Sequence, residues 1–131
     1  MKKEMPERET AACFTGHRMI PVRDIPSIRR RIVSAVQQAY ENGYRVFFCG
    51  GARGFDTIAA QEIIKFRGSH PDVRLVIAVP CAAQAELWPE KDRETYHSIL
   101  KNSDETIVLS ESYYNGCMQY RNRYMVNHSS L

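Results

Sequence analysis

Along the chain, short continuous runs of apolar residues alternate with longer segments whose apolar residues recur every three or four positions. The short runs have the length and the β-branched or aromatic content of buried strands, and they lie at 12–15, 44–49, 73–80 and 105–110. The longer segments have the periodicity of helices that bury one face, and they lie at 25–43, 55–68, 89–102 and 117–130. The pattern therefore predicts four strands, each followed by a helix.

Alternating strands and helices are typical of a parallel sheet covered by helices on both faces and linked by right-handed crossovers. We expect an α/β, Rossmann-like three-layer sandwich with a mainly parallel sheet of about four strands in the order 3-2-1-4. Residues 1–10 are predicted to be a charged tail, and residues 11–131 a single domain. In such a sheet, ligands bind at the carboxyl ends of the strands, so the residues that follow each strand are expected to converge.

Composition limits the function classes. The 131 residues are 44% hydrophobic and carry a formal net charge of only +3, which is less basic than a dedicated duplex-DNA binder usually is. No segment resembles a secretory leader or a membrane span, so a cytoplasmic protein without membrane contact is expected. The four cysteines include no C-x-x-C pair, and we therefore expect neither a metal site nor a disulfide framework.

The most informative segment is "VFFCGGARGFD", in which a strand runs into Gly50, Gly51 and Gly54 and then into a helix. Free backbone N–H groups and the positive end of a helix dipole form phosphate sites of this kind. The alternative is a tight turn with no ligand. Arg53, between the glycines, is expected in solvent or on a phosphate or carboxylate, and Asp56 is either an N-cap or a hydrogen-bond acceptor for a ribose hydroxyl.

The ends of the other predicted strands also carry polar and aromatic residues. Candidate ligand-binding residues there are Thr15, Gly16, His17, Arg18, Gln84, Trp88, Gln119, Asn122 and Arg123. His17 is more typical of a surface or structural histidine than of a catalyst, because nothing nearby in the sequence would orient it. Trp88 either fills the sheet edge or forms one wall for a base. Arg121 and Arg123 are two positions apart on a helix, so only one of them can face the crevice squarely.

The segments "CFTGHR", "GGARGFDTIAAQE", "LVIAVPCAAQAELWPEKDRETYHSIL" and "YNGCMQYRNRYMVNHSS" together resemble the YpsA-like branch of the SLOG superfamily. This Rossmann-like group includes the DNA-processing protein DprA (Smf) and the LOG phosphoribohydrolases. The resemblance covers residues 13–130 and implies a pocket for a nucleotide or nucleotide-derived ligand, with its phosphate or sugar near Gly50 and Gly51. The chain lacks the further strand and Gly-Gly-Thr turn that usually follow in YpsA-like proteins, which would leave an open sheet edge for a second subunit to cover.

Three functions compete on this basis. A binding or sensing module for a nucleotide-derived ligand is favoured, with no other cofactor, because no acid/base pair is evident. A LOG-like N-glycosidic hydrolase of nucleoside monophosphates would need a carboxylate beside the ribose, for which Asp56 and Glu111 are weak candidates. A DprA-like binder of single-stranded DNA would need a continuous basic groove with stacking aromatics. An enzyme is therefore the less favoured expectation, and DNA is not the expected partner.

Overall fold

The computed structural model describes residues 11–14 and 20–130. The strands are β1 (Ala11–Phe14), β2 (Val46–Cys49), β3 (Arg74–Val79) and β4 (Glu105–Val108). The helices are α1 (Ile25–Glu41), α2 (Phe55–Arg67), α3 (Glu90–Asn102) and α4 (Cys117–Asn127), and one 3-10 turn, Val22–Asp24, precedes α1. All four predicted strands and all four predicted helices are present, which confirms the α/β pattern.

The four strands form one parallel sheet in the order β1-β2-β3-β4. The Rossmann-like architecture is confirmed, but the expected order 3-2-1-4 is wrong, because β4 pairs with β3 rather than with β1. Helices α1, α2 and α3 are packed side by side on one face of the sheet. Right-handed crossovers whose helices share a face advance the sheet in a single direction, so each new strand is added beyond the last one.

The two faces of the sheet bury different side chains, as the alternation of a strand requires. Phe47 is fully buried under α1–α3, in a cluster that includes Val36, Ile63 and Ile77. Phe48 is fully buried on the opposite face, where it packs with Val76, Ala78 and Met125 of α4. A strand that is buried on both faces has a continuous apolar sequence. Strand β2, "VFFC", therefore contains no polar residue.

Helix α4 is thus the third layer, on the face opposite α1–α3. It leads back toward β1, where the backbone N–H of Ser130 donates to the carbonyl oxygen of Ala11 over 2.9 Å. The buried positions of α4 are Cys117, Arg121 and Met125, spaced by four residues along one side of the helix. This spacing directs an arginine, together with apolar side chains, at the sheet.

On the other face, an ion pair joins α1 to α2. Arg29 donates from Nη1 to Glu62 Oε2 over 2.7 Å and from Nη2 to Gln61 Oε1 over 2.9 Å. The Glu62 side chain is only 5% exposed, so its charge needs compensation. Arg29 provides it at 2.7 Å, and Lys65 Nζ lies farther away at 3.9 Å. Within the described ranges, no helix has the length and hydropathy that crossing a membrane would require.

Candidate functional site

The glycine-rich turn at the carboxyl end of β2 has a structural requirement at each glycine. Gly51 and Gly54 have φ values of +75° and +82°, a region that residues with a Cβ rarely adopt. Gly50 has ordinary backbone angles, but a Cβ there would lie 2.5 Å from Arg121 Nη1 and 2.6 Å from Asp56 Oδ2. Backbone geometry and close approach therefore account for all three glycines, and anion binding by this turn stays a prediction.

Asp56 is the second residue of α2 and is 4% exposed. The N-cap interpretation of Asp56 is wrong, because the N-cap is Gly54. Its Oδ2 instead accepts the N–H of Ala52 over 3.3 Å, and its Oδ1 accepts no hydrogen bond from the described residues. Burial raises the pKa of Asp56 to about 6, although the charge of Arg121 and the Ala52 N–H act in the opposite direction. A buried carboxyl group with a perturbed pKa is a common feature of functional sites.

Arg121 reaches the same turn from the opposite face of the sheet. It is 5% exposed, and its Nη1 donates to the carbonyl oxygen of Gly50. Its Nε donates to Asn122 Oδ1 over 2.8 Å, and its Nη2 lies 3.8 Å from the sulfur of Met118. The buried guanidinium group therefore joins α4 to the glycine turn.

Arg123, one of the ligand-binding residues chosen from the sequence, is exposed and does not line the cavity described below. The arginine on the buried side of α4 is Arg121. Like Arg123, Gln119 and Asn122 are exposed. Asn122 is connected to the glycine turn indirectly, because its Oδ1 accepts a hydrogen bond from Arg121. The signal that could have identified Arg121 is its spacing of four residues from both Cys117 and Met125, which places it on the buried side of α4.

A cavity of about 280 Å³ lies beside the turn, at the carboxyl ends of the strands. Its lining comes from the turn itself, from the loop after β3, from the segment after β4 and from the first turn of α4. The lining residues are Ala52, Arg53, Cys81, Ala83, Gln84, Leu87, Trp88, Tyr113 and Met118. The structure thus brings together three of the residues chosen from the sequence, Arg53, Gln84 and Trp88. The sequence did not indicate three of the apolar lining residues. Leu87 and Tyr113 lie in loops, where apolar residues carry no periodic signal, and Met118 lies in α4, where an apolar residue is ordinarily assigned to packing on the sheet.

Within the cavity, Arg53 and Trp88 lie against each other. The guanidinium carbon of Arg53 is 5.4 Å from the centre of the Trp88 ring, which is within cation–π range. Nη1 of Arg53 is also 3.4 Å from Asp92 Oδ2, in an ion pair whose two side chains are each 44% exposed. A long and solvent-exposed ion pair of this kind contributes little to stability, so Arg53 is weakly held.

Two further contacts fix the wall of the cavity to the turn. The Trp88 ring meets Tyr96 edge to face, with 5.2 Å between ring centres. Gln84 Nε2 lies 3.4 Å from the carbonyl oxygen of Gly51, and Gln84 Oε1 is buried without a hydrogen bond from the described residues. Burial raises the pKa of Tyr96, and a hydrogen bond with Gln84 partly offsets the rise.

Four of the ligand-binding residues chosen from the sequence lie outside the described residues: Thr15, Gly16, His17 and Arg18. Strand β1 pairs with β2 so that Phe14 is level with Cys49, and β1 therefore ends beside the glycine turn.

Glu111 is exposed in the segment after β4. The four cysteines are free thiols, and in the described part of the chain no group of three or more His, Cys, Asp or Glu side chains is placed to hold a metal ion.

The parallel sheet, its two helical layers and the cleft at its carboxyl edge define a Rossmann-like domain. The YpsA family model, described as the YspA SLOG family, matches residues 14–131. The chain belongs to this SLOG family, which confirms the resemblance carried by its four motifs.

Three curated relatives are described without an activity. The chain is 30% identical over 109 residues to the UPF0398 protein BH1768 of Halalkalibacterium halodurans, covering 82% of this chain and 58% of that protein. It is 32% identical over 101 residues to the uncharacterized SPbeta prophage-derived protein YoqJ of Bacillus subtilis, covering 68% of this chain and 58% of that protein. A UPF0398 protein of Bacillus thuringiensis is 26% identical over 95 residues. The chain spans between half and three fifths of the length of these relatives.

Proposed function

We propose that the chain binds a nucleotide or nucleotide-derived ligand at the carboxyl ends of β2 and β3 and does not transform it. The observation that carries this proposal is the cavity of about 280 Å³ that directly adjoins the glycine turn. Ligand sites in open α/β sheets occupy this edge, and they typically combine apolar walls with a few polar groups. Here Trp88, Leu87 and Met118 supply apolar surface, and Arg53 and Gln84 supply polar groups.

The polar groups of the turn favour a ligand that carries hydroxyl and phosphate groups. Asp56 Oδ1 has no hydrogen-bond donor among the described residues. Because Asp56 is buried and does not line the cavity, a ribose hydroxyl could supply this donor only if the turn moves. Arg53 is half-exposed and weakly paired, so it is available to pair with a phosphate. Arg121, which is buried against Gly50, holds the turn and does not face solvent.

A thermal-shift screen tests the proposal with AMP, GMP, ADP-ribose, NAD and cyclic nucleotides. A ligand present at 100 times its dissociation constant stabilises the folded state by about 2.7 kcal/mol, and at least one compound is expected to raise the Tm in this way. Arg53→Ala should weaken the binding of phosphorylated ligands more than that of the corresponding nucleosides. Arg30→Ala, which removes an exposed arginine of α1, is the matched control. It should change neither the binding of phosphorylated ligands nor that of nucleosides. A screen in which no compound raises the Tm at millimolar concentration would refute the proposal.

An N-glycosidic hydrolase is the second candidate, and Asp56 is the observation that favours it. Its pKa of about 6 is in the range where a carboxyl group can act as a general acid or base near neutral pH. Glu111 is exposed and offers no comparable environment. The test is incubation with nucleoside monophosphates and detection of the free base. We expect no release, whereas release that is lost in Asp56→Asn and retained in Glu111→Gln would favour the hydrolase.

Binding of single-stranded DNA is the weakest of the three functions. The segment "QYRNRY" is one of two basic clusters in the sequence, but its Arg121 is buried against the turn. In the other, "SIRRRIV", Arg29 is paired with Glu62. One cluster thus has a buried arginine and the other an arginine neutralised by a carboxylate, whereas a groove for single-stranded DNA needs a continuous basic surface.

A further inference from the structure

We infer that the cavity beside Trp88 is the subsite for the flat aromatic part of the ligand, a nucleobase, and that the sugar and phosphate extend from it toward the glycine turn. The inference rests on the proposed function and adds to it the orientation of the ligand and the residues that recognise each part.

The size of the cavity supports a subsite for one ring system. Its volume of about 280 Å³ is at the lower limit of ligand pockets, which span roughly 300–1,000 Å³. A base with part of its sugar fits such a space, whereas a complete dinucleotide does not. Any larger ligand therefore has to extend beyond the cavity, and the adjoining turn at Ala52 and Arg53 is the polar surface that it meets.

The walls of the cavity suit a flat aromatic ring. Trp88 is held edge to face by Tyr96, so its position is fixed by a residue that is itself buried. Met118 and Ala83 add apolar surface. Any of the nucleobases can stack on an indole ring, because every base has a π-face.

Arg53 is placed at the boundary between the two parts of the proposed ligand. It belongs to the glycine turn, and its guanidinium group lies over the Trp88 ring at 5.4 Å. Its only ion pair among the described residues, with Asp92 at 3.4 Å, is half-exposed. A small movement of this side chain would therefore let it cover a base stacked on Trp88 or reach the phosphate beyond it.

The rim of the cavity carries two apolar side chains that remain in solvent. Leu87, in the loop after β3, is 96% exposed, and Tyr113, in the segment after β4, is 64% exposed. Both line the cavity, so a bound ring would cover part of their surface. Exposed apolar side chains that gather at the mouth of a cavity are typical of a binding site.

Trp88 is the only tryptophan in the chain, so intrinsic fluorescence excited at the red edge reports on this cavity alone. The probes are AMP, GMP, ADP-ribose and NAD, with ribose 5-phosphate as the ligand that lacks a base. At least one nucleotide is expected to change the Trp88 emission saturably, with the same midpoint as its effect on Tm. Ribose 5-phosphate should change the emission much less than the nucleotide does, even at concentrations that raise the Tm, because it moves Arg53 at most and leaves the Trp88 ring uncovered.

The outcomes separate the two proposals. A nucleotide that raises the Tm without any change in Trp88 emission does not place its base against Trp88, which overturns the base subsite. The proposed function still stands in that case if Arg53→Ala weakens the binding of the same nucleotide, because Arg53 also lines the cavity. Nucleotides that change neither quantity would refute both proposals.

Variants provide an independent measurement of affinity by calorimetry. Trp88→Leu should weaken nucleotide binding at least tenfold, whereas Trp88→Phe, which keeps a stacking ring, should stay within about threefold of wild type. Leu87→Ser should weaken binding severalfold without lowering the Tm of the free protein, because Leu87 packs against almost nothing. Val22→Ser is the matched control, since Val22 is 82% exposed and does not line the cavity. Wild-type affinity in both Trp88→Leu and Leu87→Ser would contradict the inference.

Discussion

Arg121 donates a hydrogen bond to the carbonyl oxygen of Gly50, so a helix on one face of the sheet holds the turn that leads into a helix on the other face. The sheet itself separates α4 from α2. The contact is buried, and Asp56 lies beside it, where the charge of Arg121 lowers the pKa that burial has raised. The three residues together connect the layers of the fold at the candidate site.

Removal of the buried guanidinium group should destabilise the fold. Arg121→Met leaves the Gly50 carbonyl without this donor and Asp56 without its compensating charge, and breaking a buried charge pair in this way typically costs about 3–5 kcal/mol. Chemical denaturation at pH 7 measures the loss. Arg123→Met is the matched control on the same helix, and it should stay within about 0.5 kcal/mol of wild type because Arg123 is exposed. Equal effects of the two substitutions would contradict the assigned geometry.

Gly50→Ala tests the close approach directly. The new Cβ would meet Arg121 and Asp56 at distances that require both to move, and overpacking of this kind costs about 1–3 kcal/mol. Gly43→Ala is the comparison for backbone strain alone, since Gly43 has a φ of +97° and nothing within 4 Å of an added Cβ. Its expected cost is about 1 kcal/mol.

A double-mutant cycle distinguishes steric conflict at Gly50 from a general weakness of the turn. If the cost of Gly50→Ala arises from contact with the guanidinium group, it should shrink in the Arg121→Ala background, as expected for residues in contact. A cost that is the same in both backgrounds would show that the conflict lies elsewhere. Gly51→Ala cannot serve this purpose, because Gly51 combines a φ of +75° with Ile77 Cγ2 at 3.0 Å from the added Cβ.

The sequence predicts the elements of this fold more reliably than their arrangement. Buried strands and amphipathic helices follow from local periodicity, and all eight elements were found from it. The position of β4 depends on which face each helix covers, and a helix that buries one stripe has the same pattern on either face of a sheet. The order 3-2-1-4 was therefore wrong even though the strands, and the pairing of β1 with β2, were right.

The same distinction applies to the candidate site. Glycines at a strand end indicate a special turn, and Arg53, Gln84 and Trp88 follow strands whose ends meet, so their convergence could be predicted. Arg121 was weighed against Arg123 in the sequence and not chosen, and a buried arginine is rare. The spacing of Arg121 from Cys117 and Met125 places it on the buried side of α4, but a charged side chain is ordinarily expected in solvent.

The ion pair between α1 and α2 allows a test that does not involve the candidate site. Arg29→Ala removes the partner of Glu62, whose side chain is 5% exposed, and an uncompensated buried carboxylate is expected to cost about 1–3 kcal/mol. Arg30→Ala, at an exposed neighbouring position, should cost less than about 0.5 kcal/mol. Urea denaturation at pH 7 compares the two variants. A loss for Arg29→Ala no greater than that for Arg30→Ala would mean that Glu62 obtains its compensation from other groups, such as Lys65 at 3.9 Å.

The raised pKa of Asp56 predicts how stability depends on pH. The folded protein binds the Asp56 proton with a pKa of about 6, against an ordinary value of 3.8, so between these values the folded state holds more protons than the unfolded state. Stability from this group therefore falls as pH rises from about 4 to 6 and is level above that range. Other groups also titrate, and the variant Asp56→Asn isolates the contribution, because their effects are common to both proteins.

The quantity to measure is the free energy of unfolding of the wild type minus that of Asp56→Asn, by urea denaturation at pH 7, 6 and 5. This difference should increase by about 1 kcal/mol as the pH falls from 7 to 5, since one pKa unit corresponds to about 1.4 kcal/mol. The charge of Arg121 does not change over this range, so it does not contribute to the slope. A difference that stays constant would mean that the pKa of Asp56 lies near its ordinary value. In that case Arg121 and the Ala52 N–H would together offset the effect of burial completely, and Asp56 would lack the raised pKa that general acid or base chemistry near neutral pH requires.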